Sequence, residues 1–170
     1  MIRNYSLIAE KWIDFFEHPE NIQGFFEKSS TEMKQIVDTF LGGISDQHLQ
    51  NFETKEKEVI EELLFESFLA GLVLGCLEQN KNLFASEAQI SKEKGKEYFE
   101  LLDDQKAFET HFKSIDPASE SLLSKASSQM LNRLIFVVPN FDSKKYSDVV
   151  SIQNHFYFAT VSGYLLANFL

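Results

Sequence analysis

The sequence predicts an all-α protein, and three observations predict it. Apolar residues recur at intervals of three and four along most of the chain, as they do on the buried faces of helices. Helix-start signals stand before several of these segments. The one β-prone run, at 135–138, has no strand partner elsewhere in the sequence. We expect a single compact domain over 1–170, with about six or seven helices around a central apolar helix at 55–79 and a C-terminal helix at 144–170.

The first helix is expected over about 6–17, where the apolar residues follow helical spacing. His18 and Pro19 end it, because a residue that precedes proline resists the α conformation. A short helical turn is expected around 22–26. These boundaries rest on local steric effects and need no assumption about tertiary structure.

A capping box at 29–32 opens the next predicted helix, since its Ser and Thr hydroxyls can accept hydrogen bonds from exposed backbone N–H groups. Gly42 and Gly43 are expected to stop this helix. A short separate piece is expected through 52, and Thr54 is the expected N-cap of the central helix.

The central helix at 55–79 changes character along its length. Its first half is amphipathic, whereas 65–77 is apolar on every side except at Glu66 and Ser67. A helix that is apolar all round is typical of the buried centre of a domain. A stretch of this length is too short to span a bilayer, which needs about 20 residues.

The second half of the chain repeats the helical pattern. A capping box at 86–89 leads into a predicted helix at 87–102, and further helical sequence reaches about 112. Asp116 and Pro117 are a strong start signal for another helix. We interpret 135–138 as the frayed end of that helix, packed on the core, and expect the last helix to begin at 143 or 144.

Small residues recur every four positions in both long apolar helices. They are Ser67, Gly71 and Gly75 in the central helix, and Ala159, Gly163 and Ala167 in the last helix. Such stripes allow two helix backbones to approach closely. We therefore expect the two helices to cross at these stripes and to form the hub of the domain.

The net charge of −10 is concentrated in the first half: residues 1–80 carry 15 acids and 6 bases, a net of −9, and residues 81–170 carry 11 acids and 10 bases, a net of −1. A negative surface repels phosphate, so nucleic-acid binding and binding to anionic lipid are not expected. The charge either serves solubility alone or forms a surface for a basic partner protein.

The single cysteine, Cys76, lies in an apolar helical run and is expected to be a buried, inert thiol. Disulfide frameworks and Cys-rich zinc sites are excluded. The first residues lack the apolar region of a secretory signal. A cytoplasmic location is the natural expectation.

The run 149–170 contains no Asp, Glu, Lys or Arg. Its length would suffice for a membrane span, but its polar residues make it only moderately apolar, so membrane anchorage is disfavoured. Two other interpretations stay open, a terminal helix buried by its own domain and an exposed helix that docks on a partner.

Motifs that would indicate enzymatic chemistry are missing. No histidine follows a glutamate at the spacing of di-iron bundles, and the zinc-protease helix, the phosphate-binding loop and the nucleophile elbow are all absent. We therefore expect no catalytic residue, no metal ligand and no cofactor.

Four residues remain as candidates for a binding site. Glu62 and Glu66 lie one turn apart on one face of the central helix, where paired carboxylates can hold a cation or perform acid–base chemistry. His155 and Tyr157 lie in the uncharged last helix among phenylalanines that could line an apolar pocket. Each also has an ordinary structural interpretation, as a polar group at the core boundary.

Three functions follow from these patterns. The first is a non-enzymatic acidic helical module for protein interaction, such as an adaptor, chaperone-like factor, inhibitor or immunity-type partner; its partner would be another protein, and a homo-oligomer stays open. The second is a domain that binds a small apolar ligand between its helices. The third is an enzyme whose site assembles only in three dimensions, with Glu66 and His155 as first suspects.

Overall fold

The computed structural model describes residues 4–81, 90–141 and 146–170, which contain eight α-helices and no strand. The helices are α1 (Tyr5–Glu17), α2 (Pro19–Lys28), α3 (Thr31–His48), α4 (Thr54–Glu78), α5 (Lys92–Asp103), α6 (Gln105–Lys113), α7 (Pro117–Val137) and α8 (Tyr146–Leu166), followed by a 3-10 turn at Ala167–Phe169. The all-α prediction is confirmed. The count exceeds the expected six or seven because the short α2 and α6 are separate helices.

Several predicted boundaries are confirmed by their capping contacts. Ser30 accepts a hydrogen bond from the Met33 N–H at 3.2 Å at the start of α3. Asp116 accepts one from the Ala118 N–H at 2.9 Å, with Pro117 as the first residue of α7. In both cases the cap satisfies a backbone donor that has no partner within the helix.

The predicted stop at Gly42 and Gly43 is wrong, because α3 continues to His48. Glycine ends a helix when the chain turns into the left-handed region, and neither glycine has a positive φ. The buried face of α3 instead continues through Ile44 and Ser45. The Ser45 hydroxyl donates to Glu61 Oε1 at 2.5 Å and ties this last turn to α4.

Other boundaries shift by a few residues. Thr54 is the first residue of α4 and not its N-cap, which is Glu53. The capping box at 86–89 lies outside the described residues, as does a helix start at 143 or 144. The helix predicted over 87–102 begins at Lys92 and ends at Asp103, and Ser91 caps it by accepting from the Lys94 N–H at 3.2 Å.

The end of α7 differs from the interpretation of 135–138 as a frayed end packed on the core. The segment is helical through Val137, and Val138 is buried. Phe136 and Val137, however, are 90% and 57% exposed. This end of α7 therefore presents two large apolar side chains to solvent.

The hub predicted from the small residues is confirmed. A Cβ atom on Gly71 would lie 1.8 Å from the carbonyl oxygen of Thr160, and one on Gly163 would lie 2.0 Å from that of Phe68. A Cβ on Gly75 would meet Ala167 Cβ at 2.6 Å. No side chain fits between α4 and α8 at these positions, so the two backbones are in direct contact.

The uncharged C-terminal helix is buried by its own chain. Its residues from Ala159 to Gly163 are all buried against the rest of the molecule. Lys81 Nζ donates to the carbonyl oxygens of Ala167 at 2.7 Å and Leu170 at 2.9 Å, which secures the end of the chain. Of the helices in the described ranges, none combines the length and apolarity needed to cross a membrane.

The close contact of α4 and α8 predicts that alanine in place of Gly71 and alanine in place of Gly43 will have opposite effects on stability. Gly71→Ala should reduce the free energy of unfolding by at least about 2 kcal/mol, because the added methyl group overlaps the Thr160 carbonyl and forces the helices apart. Urea denaturation followed by circular dichroism measures this change.

Gly43→Ala is the matched control, since a Cβ at this helical position meets nothing within 4 Å. It should raise stability by up to about 1 kcal/mol through helix propensity alone. Equal midpoints for the Gly71→Ala variant and the unmodified protein would contradict the close contact of the two backbones.

Candidate binding groove

An open groove of about 620 Å³ lies between α1 and α2 on one side and α7 on the other, with α4 as its floor. Its apolar lining comprises Trp12, Ile13, Phe16, Pro19, Ile22, Ala70, Ala126 and Met130. The charged residues that line it are Glu17, Glu66 and Arg133. The groove therefore combines an apolar surface with a small number of charges.

The α1 wall is fixed to the floor by Trp12. Its indole Nε1 donates a hydrogen bond to the Ala70 carbonyl oxygen at 3.0 Å, and the residue is only 6% exposed. The Phe16 ring meets the indole edge to face at a centroid distance of 6.1 Å. Ile13, one position after Trp12, stands at the open side of this wall and is 51% exposed.

The α7 wall runs antiparallel to α4. Ser119 near the start of α7 donates to Glu78 near the end of α4, whereas Arg133 near the end of α7 pairs with Glu66. Helical spacing from the Arg133–Glu66 pair places Val137 level with Glu62 in α4. The exposed Val137 and Phe136 therefore extend the apolar wall beyond Arg133, toward Glu62.

Glu66 and Arg133 form a charge pair at the floor of the groove. Arg133 Nη1 donates to Glu66 Oε2, and Nη2 lies 3.5 Å from Oε1. The Glu66 side chain is 12% exposed and that of Arg133 is 52% exposed. The carboxylate is thus compensated by a guanidinium that still faces solvent, and the pair joins α7 to α4.

The remaining charge at the groove is acidic. Glu10 and Glu17, both exposed, follow the spacing that places them beside Ile13 on the outer edge of α1. Glu62 is exposed on the floor stripe, one turn before Glu66. Among the described residues that line the cavity, Arg133 is the only cation, and Glu66 already neutralises it.

The four residues singled out from the sequence lie in different places. Glu66 lines the groove floor, and Glu62 lies one turn before it on α4, beyond the lining residues. The Tyr157 hydroxyl donates to Glu120 Oε1 at 2.7 Å and joins α8 to α7. Burial, and secondarily this hydrogen bond, raises the pKa of Tyr157 above its ordinary value. His155 lies at a second cavity.

The second cavity, of about 590 Å³, holds a pair of histidines from α3 and α8. The rings of His48 and His155 have centroids 4.3 Å apart and are inclined by 35°. The Ser151 hydroxyl lies 3.4 Å from Nε2 of His155, and Asp103 also lines the cavity. Burial, and secondarily the charge of His48, lowers the pKa of His155.

Metal-binding clusters and the reactivity of Cys76 can be assessed over the described residues. Across 4–81, 90–141 and 146–170, no three His, Cys, Asp or Glu side chains are arranged to hold a metal ion. Cys76 is buried as expected, and burial raises the pKa of its thiol to about 12, against a smaller opposing effect of Lys81. A thiol of this kind stays protonated and is a poor nucleophile at neutral pH.

The sequence did not reveal the groove as a whole. Arg133 sits one turn after Met130 at the edge of the apolar stripe of α7, which was a local sign of a charged boundary. Nothing in the local pattern showed that Trp12 and Arg133, far apart in sequence, line the same cavity. That requires the packing of α1 and α7 on α4.

The charge pair predicts an asymmetric response to mutation. Arg133→Ala should lower the free energy of unfolding by about 1–2 kcal/mol, because it leaves a mostly buried carboxylate without its counterion. Glu66→Gln should lower the free energy of unfolding by less, since the half-exposed guanidinium of Arg133 can be hydrated. A double-mutant cycle measured by urea denaturation should show the Arg133→Ala penalty shrink when Gln replaces Glu66; an undiminished penalty would contradict the pairing.

The histidine pair predicts a loss of stability in mild acid. Because the pKa of His155 is lowered in the folded state, a proton binds this histidine more tightly in the unfolded chain. The stability that neutral His155 contributes to the fold is therefore fully present above the ordinary histidine pKa of about 6.5 and is lost as the pH falls below it. The melting temperature should fall between about pH 7.5 and 5.5. His155→Gln should flatten this fall, whereas His111→Gln, an exposed control, should leave it in place.

Comparison with known proteins gives no assignment: no family model, no curated protein and no solved structure matches this chain.

Proposed function

We propose that this protein is a non-enzymatic interaction module that binds another protein in the groove between α1, α2 and α7. One observation carries the proposal: Ile13 lines the apolar groove and is 51% exposed, and the exposed Phe136 and Val137 follow within one turn of Arg133, the last lining residue of α7. Side chains of this kind that are contiguous with a groove mark a binding surface more often than scattered single ones do. A partner that covered them would bury apolar area around the Trp12 and Phe16 rings.

Contacts within the protein hold both walls of the groove in place in the absence of a partner. Trp12 is hydrogen bonded to α4 on one wall, and Arg133 is paired with α4 on the other. Both walls are thus attached to the helix that forms the hub with α8. Preorganisation of this kind reduces the entropy that binding must overcome.

Capture from a lysate tests the proposal with two variants of one helix. Ile13→Asp should reduce the amount of a stoichiometric partner at least tenfold, because it places a charge on the apolar wall. Leu7→Asp is the matched control: Leu7 is 45% exposed on α1 but does not line the groove. Its partner yield should equal that of the unmodified protein.

Equal loss in both variants would place the binding surface outside the groove or reflect a general defect in α1. Circular dichroism melting of both variants separates the second case from the first. Undiminished capture by Ile13→Asp would contradict the proposal.

A small apolar ligand is the second candidate, and the size of the groove favours it. A volume of about 620 Å³ is within the range of pockets for small molecules, roughly 300–1,000 Å³. Native mass spectrometry of the purified protein distinguishes the two functions. Extra mass of a few hundred daltons that disappears with Ala70→Phe, a variant that fills the floor, would favour the ligand over the protein partner.

A further inference from the structure

We infer that the occupant of the groove is an amphipathic helix of a partner protein, about three turns long, whose Lys and Arg residues lie at the end over Glu62. This inference rests on the proposed function and names the chemistry of the partner. It follows from the length of the groove, its lining and the distribution of charge along it.

A helix suits the groove because most of the lining offers no hydrogen-bond partner to a peptide backbone. An extended peptide would bring backbone N–H and C=O groups against Ile13, Phe16, Ala126 and Met130, which cannot accept or donate hydrogen bonds. A helix satisfies its own backbone and presents only side chains. The wall from Ala126 to Val137 rises about 16 Å along α7, which corresponds to about three turns of a bound helix.

Charge varies along the groove. At one end, one turn beyond the lining residue Glu66, Glu62 is exposed on the same face of α4, and helical spacing from the Arg133–Glu66 pair places it level with the apolar Phe136 and Val137. At the other end, three turns back along α7, the exposed Lys125 directly precedes the lining residue Ala126. Basic residues of an occupant are therefore favoured over Glu62 and disfavoured beside Lys125.

The same charges argue against a second copy of this chain. Two copies joined through this face would bring Glu10, Glu17 and Glu62 of each molecule toward those of the other. Each copy also carries a net charge of −10. Repulsion of this kind disfavours a symmetric dimer, whereas a basic helix from another protein would complement the rim.

The only tryptophan of the chain, Trp12, lines the groove and provides the readout. The probes are synthetic helical peptides of about four turns that lack tryptophan and carry an apolar stripe at i, i+4, i+7 and i+11. One peptide carries three lysines at one end of the stripe, and its counterpart carries three glutamates there. Binding is followed by the change in Trp12 emission as peptide is added.

The lysine peptide should bind about tenfold or more tightly than the glutamate peptide at low salt, and the difference should shrink as salt is added. Glu62→Lys should weaken the lysine peptide about threefold and strengthen the glutamate peptide. Glu97→Lys makes the same charge change at an exposed site on α5 and should leave both affinities unchanged.

The possible failures are distinct. Equal binding of both peptides, with loss of both on Ile13→Asp, would overturn the basic occupant and leave the groove as the interaction site. Absence of any Trp12 response to either peptide at millimolar concentration, together with partner capture that Ile13→Asp does not change, would overturn the proposed function itself. Equal effects of Glu62→Lys and Glu97→Lys would overturn the role of Glu62.

Discussion

The fold depends on the direct contact of two helix backbones. Gly71 of α4 lies against Thr160 of α8, and Gly163 of α8 lies against Phe68 of α4. Glycine in a helix costs about 1 kcal/mol relative to alanine, so a chain that keeps it here must recover that cost from contacts made possible by the missing side chains. The recovered contacts include the buried side chains on both sides of the crossing, because close helices leave no gap between them.

This crossing determines where a groove can form. Because α8 covers one side of α4, the other helices must pack around the sides that remain. The α1 and α7 helices take two of these sides and meet the α4 stripe that contains Glu66 and Ala70. Between them α4 is left partly uncovered, and the half-exposed Ile13 lines the gap. The groove is thus a consequence of how many helices one central helix can hold at close range.

Local signals predicted much of this arrangement. Ser30, Asp116 and Pro117 set helix starts through contacts within one turn, so the sequence alone was sufficient. The small-residue stripes predicted the hub because period-four spacing has a direct geometric meaning. The predicted stop at Gly42 failed because tertiary burial of Ile44 and Ser45 outweighs the local preference of glycine. The groove could not be predicted for a similar reason. Its walls come from residues more than 100 positions apart, and no local sequence spacing indicates that they are close in space.

The Glu66–Arg133 pair shows why one charge occurs within an otherwise apolar stretch of α4. A pair of this type contributes little net stability, since desolvation offsets much of the attraction, and an apolar pair of similar volume would serve the core as well. An apolar pair would not, however, fix the position of α7 along α4. The fork of Arg133 meets the carboxylate at one register only, so α7 is held at a defined position along α4. By helical spacing, that register brings Phe136 and Val137 to the level of Glu62, so that exposed apolar side chains of α7 lie level with an exposed carboxylate of α4.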